Sequence, residues 1–194
     1  MKTSIALALT GILFAAAAHS ANRGHIYAMY PQTASAITLQ RARNDFAQGR
    51  DLVFAVDGTP RNYVDALIYL RHAASMHYAP AQALIGLMYD KGDGVPQDYA
   101  EAVQWYRLAA NQAYARAQIN LGDLYVAGHG VPRDPAHAYA SYAEAKASST
   151  LGSLPWKDAS GRIANLGPRM TSSQIAAAQH LMSDHKTEKY RSDE

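Results

Sequence analysis

Tyr78–Ala113 reads YAPAQALIGLMYDKGDGVPQDYAEAVQWYRLAANQA, and Tyr114–Ser149 repeats it 36 residues later without a gap. Tyr78, Ala81, Gln82, Gly86 and Tyr89 recur at Tyr114, Ala117, Gln118, Gly122 and Tyr125. Gly92, Gly94, Val95, Pro96 and Asp98 recur at Gly128, Gly130, Val131, Pro132 and Asp134, and Ala102, Tyr106 and Ala109 at Ala138, Tyr142 and Ala145. A fixed period of this length, keeping small and aromatic residues in register, marks a repeat architecture whose units bury their apolar faces against one another.

Each unit reads as helix, loop, helix. In the middle copy the first helix is expected over about Ala79 to Asp90, with Leu84, Ile85, Met88 and Tyr89 on its apolar face. Gly92 suits the left-handed residue that ends a helix, a conformation a side chain with a Cβ resists. Asp98 is placed as the N-cap of the second helix, with Glu101 completing a capping box. That helix presents Ala102, Trp105, Tyr106 and Ala109 at i, i+3, i+4, i+7, the spacing of one buried stripe. Asp134 followed by Pro135 solves the same capping problem in the next copy, since proline loses nothing at the first helical position.

A decayed copy precedes these two. Asp57, Gly58, Pro60, Tyr63, Ala66, Arg71, Ala73 and Ala74 again lie 36 residues before their counterparts, with Asn62 as N-cap and Asp65 three residues on. Upstream the match fails because Val56 stands where Gly92 stands, which predicts a different turn. After Thr150 the glycine loop is gone. Leu154 to about Leu166 reads as one helix broken by Gly167-Pro168. Thr171–Gln174 reads as a capping box before an apolar stripe of Ile175, Ala178, Leu181 and Met182, a helix suited to cover the last open repeat face.

The fold class expected is therefore all-α, an α/α superhelix of helix-turn-helix repeats closed by a C-terminal capping helix pair. Its divisions are a signal peptide (1–20), a flexible lead-in (21–34), a degenerate first repeat (35–77), two full repeats (78–113 and 114–149), capping helices (150–185) and a frayed tail (186–194).

The run Ala81-x-x-x-Ile85-Gly86-x-Met88-Tyr89-x-x-Gly92-x-Gly94-Val95-Pro96-x-Asp98, with Ala102, Trp105-Tyr106 and Ala109-Ala110, resembles the Sel-one-like repeat (SLR) family, relatives of the tetratricopeptide repeat. The resemblance covers roughly Asn44 to Ser149. It implies an α/α superhelix acting as an adaptor or scaffold, often in the bacterial envelope or in host contact. Some cysteine-rich members are linked to β-lactam binding and hydrolysis; those carry a disulfide in each repeat, and this chain of 194 residues has no cysteine.

Composition narrows the function further. A formal net charge of +2, with no Lys/Arg stripe interleaved with aromatics, argues against nucleic acid as a partner. Absence of cysteine excludes disulfides, thiolate metal sites and a cysteine nucleophile. Lys2, the apolar run Ile5 to Ala18 and the small residues of Ala18-His19-Ser20 read as a secretory signal cleaved before Ala21. The run falls short of the roughly 20 apolar residues a membrane span needs, so no stable membrane insertion is expected after cleavage. The expected destination is the periplasm or the exterior.

No catalytic constellation emerges. His72 and His77, like His180 and His185, are five apart, whereas one helix face favours three or four for a metal clamp. His129 reads as an exposed loop residue between two glycines. Asp65, Asp98 and Asp134 already have capping roles, and no Gly-x-Ser-x-Gly turn or phosphate loop is present. No cofactor, metal or catalytic residue is therefore assigned. What remains is surface. First helices line the concave side of such stacks, which selects Gln82, Asp90, Gln118, Asn120 and Asp123 as candidate binding residues. The reading is a secreted, non-catalytic scaffold for an envelope or exported protein or peptide. The alternative is an envelope ligand binder or enzyme acting on peptidoglycan fragments or β-lactams.

Overall fold

The computed structural model describes residues 31–58 and 60–192. The expected signal peptide (1–20) and residues 21–30 of the expected lead-in lie outside the described residues. The described residues form helices joined by short turns, in the order α1 (Pro31–Phe54), a 3-10 turn (Val56–Gly58), α2 (Tyr63–Ser75), α3 (Ala79–Lys91), α4 (Tyr99–Ala110), α5 (Ala115–Ala127), α6 (Pro135–Ala147), α7 (Leu154–Leu166), a second 3-10 turn (Gly167–Arg169) and α8 (Ser172–Ser192). At its end α8 continues past His185, where the polar composition had suggested fraying.

The chain divides into two units, Met1–Arg41 and Ala42–Glu194. Of the first, the described part is the start of α1, which exposes Ile37 and Leu39. The second holds the whole repeat stack. Here α2 packs on α3, α3 on α4, α4 on α5 and α5 on α6, and α6 is covered by both α7 and α8. The expected capping pair therefore sits on the last repeat helix.

The core is a chain of three clusters. Leu70, Ile85 and Met88 anchor the first; Val103, Tyr106, Leu121 and Leu124 the second; Ile119, Tyr142 and Ala159 the third. Alanines at Ala66, Ala73, Ala81, Ala102, Ala109, Ala117, Ala138 and Ala145 are fully buried, which lets helices approach closely. Fully burying a side chain such as Leu70 stabilises the fold by about 1.5–3 kcal/mol. Trp105 is only half-buried, packed against the first cluster, whereas Tyr106 is buried completely.

Cap chemistry fixes the helix starts. Asp98 Oδ1 accepts from the N–H groups of Ala100 and Glu101 at 2.9 and 3.1 Å, and Asp134 Oδ1 from those of Ala136 and His137 at 2.8 and 3.1 Å. Asn62 Oδ1 accepts from the Asp65 N–H at 3.1 Å. The expected capping box at Glu101 is not closed. The Asp98 N–H donates instead to the Tyr89 carbonyl at 3.0 Å, as Asp134 does to Tyr125 at 2.9 Å. That bond ties the loop back to the last turn of the preceding helix, so the donor a box would satisfy is already taken. At Thr171 the reciprocal box does form, with Thr171 N–H on Gln174 Oε1 at 2.9 Å and Gln174 N–H on Thr171 Oγ1 at 3.3 Å.

The loop glycines have two separate jobs. Gly92 and Gly128 both end their helices at φ +74°, the left-handed cap the sequence predicts. Gly94 and Gly130 let each loop lie against the helix of the previous repeat, since a Cβ there would run into Tyr63 and the Tyr99 backbone respectively. The repeat is therefore stitched to its neighbour by backbone that has no room for a side chain.

The first repeat differs by one residue. Its α1 cap is Ala55 at φ +56°, and Ala55 lies 37 residues before Gly92. The Asn62 N–H donates to the Leu52 carbonyl, 37 before Tyr89, and Gly49 faces Leu70 where Gly86, 37 further on, faces Tyr106. The second helix keeps the 36-residue spacing. One extra residue is absorbed between Ala55 and Gly58, where Asp57 (φ +53°) and Gly58 (φ +78°) are also left-handed. This is the different turn expected at Val56. A gapless comparison loses α1 for that reason.

Candidate functional site

The first helices of the three repeats converge on one groove, ≈ 330 Å³ in volume. From α1 it takes Phe46, Arg50 and Phe54; from α3, Ala83, Leu84 and Leu87; from α5 and its approach, Tyr114, Arg116 and Asn120. Phe46 meets Tyr78 edge to face at 5.4 Å between ring centroids, a favoured aromatic arrangement that fixes the groove wall. Phe54 remains 52% exposed. An aromatic left that open beside Leu84 and Leu87 is an apolar surface that no other element among the described residues covers.

The residues selected from sequence separate into three kinds. Gln82 and Gln118 are 3% and 4% exposed, so they do not face the groove. Gln82 Oε1 accepts from Gln112 Nε2 at 2.7 Å, and Gln118 Oε1 accepts from Ser148 Oγ at 2.9 Å. Gln112 and Ser148 are themselves 36 apart, each just beyond its second helix. These amides pin the two helices of one repeat together, which satisfies a buried polar group that would otherwise destabilise the fold.

Asp123 is tied into structure as well. Arg162 of α7 grips it with Nε at 2.7 Å and Nη2 at 2.8 Å, and the Tyr142 hydroxyl donates to it at 2.7 Å. Asp123 in turn raises Arg162, chiefly through that hydrogen bond. Burial first and Asp123 second push the Tyr142 hydroxyl far above its usual range, so it stays a donor. Asp90 is half-buried and lies 3.5 Å from Lys91. Only Asn120 of the five lines the groove.

Two buried side-chain oxygens among the described residues lack a well-formed hydrogen bond, Ser160 Oγ and the Tyr106 hydroxyl, the latter in the core. Burial, then the charge of Asp90, drive its ionisation far up, and the nearby Asn120 side chain offsets this only in part. Tyr114, at the groove, is likewise raised by burial against the opposing charge of Arg116, so its hydroxyl keeps its proton and can donate. Among the described residues no group of three or more His, Asp or Glu could hold a metal ion, and no helix is long and apolar enough to cross a membrane.

Sequence reasoning missed Phe54, Arg50, Leu87 and Arg116. The signal for the first two lay in the one-residue offset: only with α1 moved to the 37-residue spacing does Arg50 align with Leu87. Leu87 and Arg116 occupy positions where the copies differ, and unlike residues at matching positions are what recognition would use.

A family model described as Sel1 repeat matches residues 56–78, 79–114 and 115–145. The chain contains three Sel1 repeats. The first match begins at Val56, just after the displaced α1. Among solved structures, a protective antigen of uropathogenic Escherichia coli with an SLR fold shares 34% identity at TM-score 0.54, over 63% of this chain and 25% of that one. A Sel1 repeat protein from Oxalobacter formigenes shares 29% identity at TM-score 0.53, over 73% of this chain and 55% of that one. The Sel1-repeat chain thus spans about a quarter and about half of these two relatives. Helicobacter pylori cysteine rich protein B, at 21% identity and TM-score 0.51 over 67% of this chain and 92% of that one, shares the fold. No curated protein sequence matches the chain.

Proposed function

We propose that this Sel1-repeat chain is a secreted, periplasmic scaffold that binds a segment of another envelope or exported protein in the groove of α1, α3 and α5, without chemistry of its own. The observation that carries the reading is Phe54, half-exposed beside Leu84 and Leu87 in a concave, mainly apolar lining. Pockets of a few hundred Å³ with apolar walls and a few polar groups are where proteins hold ligands. The signal-like N-terminus supports the compartment, and the likeness to a protective antigen supports a place in the envelope or beyond it.

Photo-crosslinking tests the binding. A benzophenone side chain is placed at Phe54, or at the exposed Leu108 of α4 as control, in cells expressing the full chain. A discrete adduct from Phe54 and none from Leu108 is expected. The same adducts from both positions, or none from either, sink the groove. Osmotic-shock fractionation tests the compartment, with protein shortened at Ala21 expected in the periplasmic fraction. A melting-temperature rise with muropeptides or β-lactams, which only a ligand of the native state produces, would overturn the scaffold reading.

A further inference from the structure

We infer that the groove selects a protein segment carrying a large apolar side chain beside Asp or Glu. The inference rests on the groove reading above and adds the charge of the occupant. The lining contains two arginines and no carboxylate. The two arginines are not equivalent. Arg50 gives Nε and Nη2 to Asp51 at 2.9 and 2.7 Å, which neutralises it locally. Arg116 is exposed and makes no ion pair among the described residues.

Several acids of these helices already have partners, among them Asp90, which lies 3.5 Å from Lys91. Asp123 is held by Arg162 and Tyr142, Asp45 accepts from the His72 ring at 2.7 Å, and Asp51 takes Arg50. An unneutralised guanidinium therefore borders an apolar lining, with the protonated Tyr114 hydroxyl and the Asn120 amide as further donors. A guanidinium recognises a carboxylate through paired N–H donors, and the adjoining Phe54 and Leu87 supply the apolar anchor. The lining from Phe54 on α1 to Arg116 on α5 bounds ≈ 330 Å³, room for a few side chains of a segment rather than for a folded domain.

The test uses immobilised seven-residue peptides of otherwise random sequence, with a central Phe or Leu flanked by Asp/Glu, by Lys/Arg or by Ser. They are probed with the purified full chain, its Arg116→Glu variant and its Phe54→Ser variant; both positions are exposed, and circular dichroism checks that each variant folds. The acidic set should bind about tenfold or more above the Lys/Arg set, the scale of one charged hydrogen-bonded contact. Arg116→Glu should reverse that order, and Phe54→Ser should weaken all sets. Equal binding of the sets, or an acidic preference untouched by Arg116→Glu, overturns the inference. If Phe54→Ser still weakens binding in that event, the groove survives and only the charge claim falls. If no set binds and Phe54→Ser changes nothing, both fall together.

Discussion

Tyr106 and Tyr142 stand 36 residues apart at the same place in successive repeats, and their hydroxyls end differently. Tyr142 donates to Asp123, and Arg162 of the capping helix α7 donates to the same carboxylate. Opposite Tyr106 the matching residue is Leu87, so the hydroxyl meets no carboxylate there, only the nearby Asn120 side chain, and the adjoining helix face is apolar. Exchanging a carboxylate for a leucine at one repeat position converts a sealed, polar junction into the wall of an open groove. The C-terminal end of the stack is closed by its cap, whereas among the described residues the N-terminal half keeps an exposed groove.

Four substitutions break or sharpen this contrast. Tyr106→Ala should have the largest effect, about 3–5 kcal/mol in urea unfolding, because it empties a fully buried aromatic site. Tyr106→Phe, by contrast, should stay within about 0.5 kcal/mol of the parent, since its hydroxyl makes no well-formed hydrogen bond to lose. Tyr142→Phe should cost about 1.5 kcal/mol by removing a hydrogen bond to a charged group. That cost should vanish in an Asp123→Ala background, the signature of a direct coupling. Equal costs for the two Tyr→Phe changes would erase the distinction.

Asp134→Ala should cost about 1 kcal/mol at neutral pH, as loss of an N-cap usually does. Burial raises this carboxyl, but the hydrogen bonds from the His137 backbone and ring, the charge of that ring and the Ala136 N–H outweigh it and hold the group below its ordinary value of 3.8. A carboxyl lowered on folding stabilises above its unfolded pKa and loses that contribution as pH falls through its folded one. The difference between parent and variant, followed by denaturant titration at several pH values, should therefore be full above about pH 5 and shrink toward pH 2. A difference that holds constant with pH contradicts the cap geometry.

Ala113→Gly should have a small, stabilising effect. Ala113 and its counterpart His77 sit at φ +58° and +57° in the turns that join successive repeats. A left-handed residue with a Cβ is strained by about 1–2 kcal/mol, partly offset by the greater freedom glycine gains when unfolded. The melting temperature should rise slightly. A fall of several degrees would mean the turn tolerates the Cβ without strain.

The repeat boundaries were readable because their causes are local. Asp98 and Asp134 bond N–H groups two and three residues away, and Gly92 ends its helix through its own φ; a period of 36 repeats those local causes in register. The Gln82 and Gln118 candidates failed to reach the surface because facing is set by how first and second helices pack, and the amides are spent on Gln112 and Ser148. Polar character alone cannot tell a buried satisfied amide from an exposed one.

The sequence by itself determined the all-helical stack, its caps, its turns and its closing helices, since each follows from interactions spanning a few residues and recurring at one spacing. Only the tertiary structure decided the site. The groove joins residues from α1 to α5, whose alignment depends on one extra residue in a turn and on one leucine in place of a carboxylate. Those side chains meet through packing between helices distant in the chain, and no local rule carries that information.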